Sequence, residues 1–169
     1  YFKELFFKAC KIRLRSDVPI ASCLSGGIDS ASVVSTIAKI REMSPNIERH
    51  TEKTQNVYIC EFKGDKISER HFAEEVLLNK DIRPNYLTID KSSFTPEQLL
   101  KVQLDFEGID ADSIQLSLLY KKMREDGIRI SLDGCTPDET LGGFWEDPAI
   151  ALKETLWDLD NKRFEDLSS

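Results

Sequence analysis

Apolar residues along this chain fall into two alternating patterns. Phe2, Leu5, Phe6, Ala9 and Ile12 recur at the spacing of one helix face, so residues 1–15 read as an amphipathic helix that Ser16-Asp17 ends. Residues 20–24 form a short apolar run between Pro19 and two glycines, the pattern of a buried strand. Helical spacing returns over 29–43 through Val33, Val34, Ile37 and Ala38, and a polar loop follows to Gln55. Residues 57–62, 86–89 and 128–132 read as three more strands. Helices separate them: 68–80 with Ser68 as N-cap, 96–106, and 112–126 stopped by Gly127. Thr95-Pro96-Glu97-Gln98 has the form of a capping box with proline at the first helical position. From Pro148 on, the chain reads as polar helix.

Strands alternating with helices predict an α/β fold, doubly wound, with a mostly parallel sheet and helices on both faces. Such sheets bind ligands outside the carboxyl ends of their strands. Two Gly-rich segments, 25–30 and 133–143, directly follow predicted strands and so fall on the same sheet edge. Gly26 and Gly27 leave no Cβ in the way of a ligand, and N–H groups in such a turn, backed by a helix N-terminus, suit an anion. Ser25 and Ser30 add hydroxyl donors. The loop lacks the lysine of GxxxxGK[ST] and the spacing of GxGxxG. A plain tight turn is the alternative.

Composition narrows the classes of function. The 169 residues are 40% hydrophobic and 31% charged, which suits one domain with its own core. A net charge of −7 without a Lys/Arg cluster disfavours nucleic acid as a partner, and no apolar run approaches membrane-helix length. The four cysteines, Cys10, Cys23, Cys60 and Cys135, form no CxxC pair and read as reduced, mostly buried thiols of a cytoplasmic protein. His50 and His71 have no ligand-spaced neighbours, and Trp145 and Trp157 read as packing residues. Tyr1 in place of an initiator methionine is expected of a piece of something longer.

Ser25-Gly26-Gly27-Ile28-Asp29-Ser30 resembles the SGGxDS loop of the ATP pyrophosphatase (PP-loop) superfamily, with its adenine nucleotide alpha hydrolase-like fold. The flanks resemble one branch of it, the C-terminal synthetase domain of the glutamine-hydrolysing asparagine synthetases. They are "RLRSDVPIASCLSGGIDSASVVSTIAK", "VYICEFKGDKISERHFAEEV" and "GIRISLDGCTPDETLGGF", in the family's order. The resemblance implies that Ser25, Gly26, Gly27 and Ser30 hold the β- and γ-phosphates of ATP. It implies Asp29 and Asp138 as Mg²⁺ ligands, Ser25, Asp29 and Asp138 as the catalytic set, Cys23 and Cys60 as walls of the adenine pocket, and Gly134 as backbone facing the nucleotide. For both aspartates, a helix-start acid favoured by the macrodipole is the alternative reading.

The implied assignment is an ATP-dependent carbon–nitrogen ligase. It would adenylate a carboxylate such as aspartate, release pyrophosphate and pass the acyl group to ammonia or an amine. Domain boundaries follow: a synthetase domain over 1–147 and a helical segment of the same domain over 148–169. The expected partners are the small carboxylate, the nitrogen donor and a glutaminase domain or subunit outside this chain. There are departures. The second signature has Asp133-Gly134-Cys135-Thr136-Pro137 where the family has Ser-Gly-Glu-Gly, so Cys135 replaces the glutamate that assists adenylation. Another PP-loop chemistry (amidation, macrocyclisation or thiolation) or a catalytically degenerate ATP-binding module are therefore the alternatives.

Overall fold

The computed structural model describes residues 1–47, 54–64, 70–90, 94–106, 111–135, 137, 141–142 and 147–157. In chain order the elements are α1 (Phe2–Arg13), β1 (Ile20–Cys23), α2 (Ile28–Met43), β2 (Gln55–Phe62), α3 (Arg70–Leu77), β3 (Ile82–Ile89), α4 (Pro96–Phe106), α5 (Ala111–Glu125), β4 (Ile130–Ser131) and α6 (Asp147–Trp157). The chain divides into two compact units, Tyr1–Gly134 and Cys135–Ser169. The first contains the sheet and α1 to α5; the described part of the second is chiefly α6.

All strand pairs are parallel, in the order β3-β2-β1-β4. Side chains alternate between two apolar layers, as the pleat requires. On one face Ile20, Leu24, Val57 and Ile59 meet α1, α2 and α3 through Cys10, Leu14, Val33, Val34, Ile37, Ile40 and Ala73. On the other, Ala21 and Tyr58 meet Leu119 and Met123 of α5. Helices thus cover both faces, as expected. Tyr58 is 1% exposed, and its hydroxyl donates to Asp126 Oδ2 at 2.8 Å, so the buried phenol is satisfied. The Lys122 ammonium and that hydroxyl hold the Asp126 carboxyl below its ordinary value.

The expected elements recur with shifted ends. β3 begins four residues before the expected strand and includes Pro84, which an edge strand tolerates because, among the described residues, one side of its backbone has no partner strand. The ladder of β4 is only two residues long, although five were expected. α3 ends at Leu77 rather than 80, because Asn79 takes a left-handed φ of 59°. Ser68, its expected N-cap, lies outside the described residues. The capping box forms: Gln98 N–H donates to Thr95 Oγ1 at 3.3 Å and Thr95 N–H to Gln98 Oε1 at 2.9 Å. None of the four cysteines is in a disulfide; Cys10 is buried, Cys23 and Cys60 are half-buried, and Cys135 is exposed, unlike the expectation of mostly buried thiols. Among the described residues no helix is long and apolar enough to cross a membrane.

Candidate phosphate-binding site

The strand order places the site. Going from β1 the chain winds outward to β2 and β3, then returns to pair β4 with the other side of β1. The direction of winding reverses between β1 and β4, and a crevice opens at the carboxyl ends of such a pair. The segments leaving those two ends are 24–27 and 132–134, parts of the two Gly-rich stretches.

The first segment closes on itself through its serines. Gly27 N–H donates to Ser25 Oγ at 3.2 Å, the Ser25 and Ser30 hydroxyls are 3.1 Å apart, and Ser30 Oγ donates to the Gly27 carbonyl at 3.2 Å. With one proton per hydroxyl, Ser25 is then the donor to Ser30. Ser25 N–H also donates to Ser30 Oγ at 3.3 Å. This ring holds the entry to α2, whose N-cap is Gly27, a residue with no side chain to cap the helix. Gly26 has φ 100°, a conformation that favours glycine. The first-turn N–H groups of Ile28, Asp29 and Ser30 therefore have no intrahelical acceptor, and no other described residue accepts from them.

The second segment backs the first. A Cβ built on Gly134 would stand 2.6 Å from the Asp29 carbonyl carbon, 2.7 Å from its oxygen and 2.7 Å from Ser30 N. Only a glycine lets the strand leaving β4 pass so close to the first turn of α2. One residue earlier, the Asp133 carboxylate accepts from Cys23 N–H (2.6 Å) and Ser131 Oγ (2.7 Å) on Oδ1, and from Tyr120 OH (3.0 Å) on Oδ2. Ser22 Oγ donates to the Leu132 carbonyl at 2.7 Å.

Ser25, Gly26, Gly27, Asp29, Ser30 and Gly134 thus converge on one corner of the sheet. Cys23 and Cys60 pack together with Leu87 and Tyr120 on the α5 face. Burial pushes the Cys60 thiol up to about 12, so it acts as an apolar, protonated side chain. Asp138, with Thr136, Glu139, His50 and Trp145, lies outside the described residues. Sequence reasoning missed Asp133 and Tyr120, because an aspartate before a glycine reads as a turn residue and a tyrosine on α5 as packing.

The donor set fits a bound phosphate: main-chain N–H groups at a helix start, two small hydroxyls and a glycine of positive φ. The half-buried Asp29 carboxylate lies on the same turn and is the type of hard oxygen donor that fits Mg²⁺. Among the described residues no group of three or more His, Cys, Asp or Glu is placed to hold a metal ion by itself.

Comparison with sequence families and curated proteins gives the family. The model of the asparagine synthase family matches residues 1–166. Asparagine synthetase (glutamine-hydrolysing) 1 of Bacillus subtilis is 30% identical over 143 residues, which is 84% of this chain and 21% of that protein. The asparagine synthetase of Zea mays is 26% identical over 150 residues, 85% of this chain and 25% of that one. The chain thus spans about a fifth to a quarter of the length of these curated relatives. Among solved structures, the U34-tRNA thiolase NcsA of Methanococcus maripaludis matches with a TM-score of 0.47 at 17% identity, covering 95% of this chain and 53% of that one. On the match over residues 1–166, this chain belongs to the asparagine synthase family.

Proposed function

We propose that this chain forms the ATP-binding core of an ATP-dependent carbon–nitrogen ligase of the asparagine synthetase type. A substrate carboxylate would attack the α-phosphate, forming an acyl-adenylate and releasing pyrophosphate; ammonia or an amine then displaces AMP. The observation that carries this reading is the cradle at the β1–β4 switch point, where the Ile28, Asp29 and Ser30 N–H groups are left to an incoming anion. In that role the chain's own residues position and neutralise the departing pyrophosphate, which suits a reaction driven by orientation and charge stabilisation. Main-chain donors would do most of this, because the Ser30 hydroxyl is engaged within the loop. Asp29, and Asp138 from the second signature, would hold Mg²⁺, which supplies further charge neutralisation of the phosphates when bound.

Cys23 and Cys60 would flank adenine with apolar contacts. The carboxylate, the nitrogen donor and a glutaminase domain or subunit would be the partners, and the cytoplasm the setting. Cys135 in place of the family's glutamate favours a second reading, an ATP-binding module that no longer adenylates.

One set of measurements tests both. ATP with Mg²⁺ should raise the melting temperature, as any ligand of the native state does, and GTP should do so less. Pyrophosphate release on adding aspartate supports the ligase. Nucleotide binding without release supports the degenerate module, and a folded chain indifferent to ATP and pyrophosphate sinks both.

A further inference from the structure

The β1–β4 ladder stops at an unusual joint. Leu132 N–H still donates to the Ala21 carbonyl at 2.8 Å, but the next donor on β1, Cys23 N–H, meets a side chain, Asp133 Oδ1. Ser131 Oγ, on β4, shares that oxygen, and Tyr120 OH, on α5, takes the other. One carboxylate therefore ties β1, β4 and α5 together. The next residue is Gly134, where a Cβ would run into the backbone of Asp29 and Ser30.

The three described partners of Asp133 are donors, so each of these bonds is charge-assisted. The serine that the related motif has at this place offers one oxygen on a shorter arm and could not accept from three elements at once. The ladder has only two residues on β4 to hold this end of the sheet. The Ser22 hydroxyl and the Ala21 carbonyl hold Leu132, and among the described residues the Asp133 carboxylate is the last side-chain tie before Gly134 passes the first turn of α2.

We propose that Asp133 is the positioning residue of the 25–30 loop. By pinning the end of β4 to Cys23 and Tyr120, it sets Gly134 against α2 and so fixes the spacing of the N–H groups offered to the anion. The proposal rests on the phosphate-loop reading for its functional consequence, but not for its structural one.

The test compares wild type with Asp133→Ala, Asp133→Asn and Tyr120→Phe by three readouts. These are thermal melting, amide hydrogen exchange resolved at Ser25, Gly27 and Ala31, and titration with pyrophosphate. Asparagine can restore the joint: its Oδ1 accepts from Cys23 and Ser131, and its amide can donate to the Tyr120 oxygen. Asp133→Ala should speed exchange at the three loop amides more than at Val57 or Ile59 in the core of β2. It should also weaken pyrophosphate binding by about tenfold or more, the effect of losing one hydrogen bond to a charged group. Asp133→Asn should return both readouts to near wild type, and Tyr120→Phe should fall between.

A folded Asp133→Ala with wild-type loop exchange overturns the proposal. So does a uniform rise in exchange that merely follows the melting temperature. If Asp133→Ala does not fold, Tyr120→Phe decides, and unchanged loop exchange there is equally fatal. Loop exchange that depends on Asp133 in a protein whose wild type ignores pyrophosphate supports the positioning role while removing the phosphate-loop reading.

Discussion

Gly134→Ala is the sharpest perturbation this structure offers. The added methyl would sit 2.6–2.7 Å from three backbone atoms of Asp29 and Ser30. Carbon contacts settle near 3.5–4.0 Å, so the β4 end and the α2 start must separate by roughly 1 Å. Backbone cannot swing aside as a flexible side chain can. Overpacking of this kind costs about 2 kcal/mol, which for a chain of this size lowers the melting temperature by about 4–8 °C. The functional loss should be larger, because the opened joint displaces the N–H groups of the α2 first turn. Losing even one hydrogen bond to a charged ligand costs about tenfold or more in affinity.

Gly127→Ala serves as the control. Its φ of 84° strains an alanine, but nothing lies within 4 Å of the added methyl. It should lose about 1–2 kcal/mol and bind pyrophosphate as wild type does. Melting curves and calorimetric titration with pyrophosphate and Mg-ATP are run on all three proteins. If Gly134→Ala melts like wild type, the close approach of the two segments is wrong. If it is destabilised no more than Gly127→Ala and binds normally, the joint is a packing feature with no part in the anion site.

Tyr58→Phe should cost about 1–2 kcal/mol by removing a hydrogen bond to a carboxylate, read as a lowered melting temperature at pH 7. Because the folded state depresses the Asp126 carboxyl, its contribution is complete above the unfolded value near 3.9 and fades as pH falls through the folded value. The gap between wild type and Tyr58→Phe should therefore narrow on acidification below about pH 4; a constant gap refutes the assignment. Alkylation at pH 8 followed by mass spectrometry should label exposed Cys135 first and spare Cys60, whose thiol is pushed up to about 12, and Cys10, raised by burial. Asp29→Ala should leave stability within about 0.5 kcal/mol of wild type yet weaken Mg²⁺-dependent ATP binding sharply; unchanged Mg-ATP affinity would reduce Asp29 to a helix-start acid.

What the sequence made legible was local. The capping box at Thr95 to Gln98 involves four consecutive residues, and both of its hydrogen bonds form. The 20–24 run and the 29–43 helix lie almost where their patterns put them, because strong periodicity and flanking glycines speak for themselves. The first half of β3 was not legible: Arg83, Pro84 and Asn85 carry no strand signal. They extend because β2 templates them, from Gln55 opposite Ile82 to Phe62 opposite Ile89. The five-residue apolar pattern at 128–132 overstated β4, whose ladder a side chain completes.

The site divides along the same line. SGGIDS could be read as an anion loop because its donors lie within six residues and begin a helix. That a second segment backs it could be read only as coarsely as "same edge of the sheet". The distance from Gly134 to Asp29 spans 105 positions of chain, and only the order β3-β2-β1-β4 brings them together. Asp133 shows the remaining gap. Its neighbours in sequence, Leu132 and Gly134, say nothing of a carboxylate with three donors, because two of those donors come from residues 110 and 13 positions away. A residue that acts by joining elements leaves its mark in the topology rather than in its own motif. That is why the aspartate standing where the relatives' motif has serine looked like a departure in the sequence and becomes a joint in the fold.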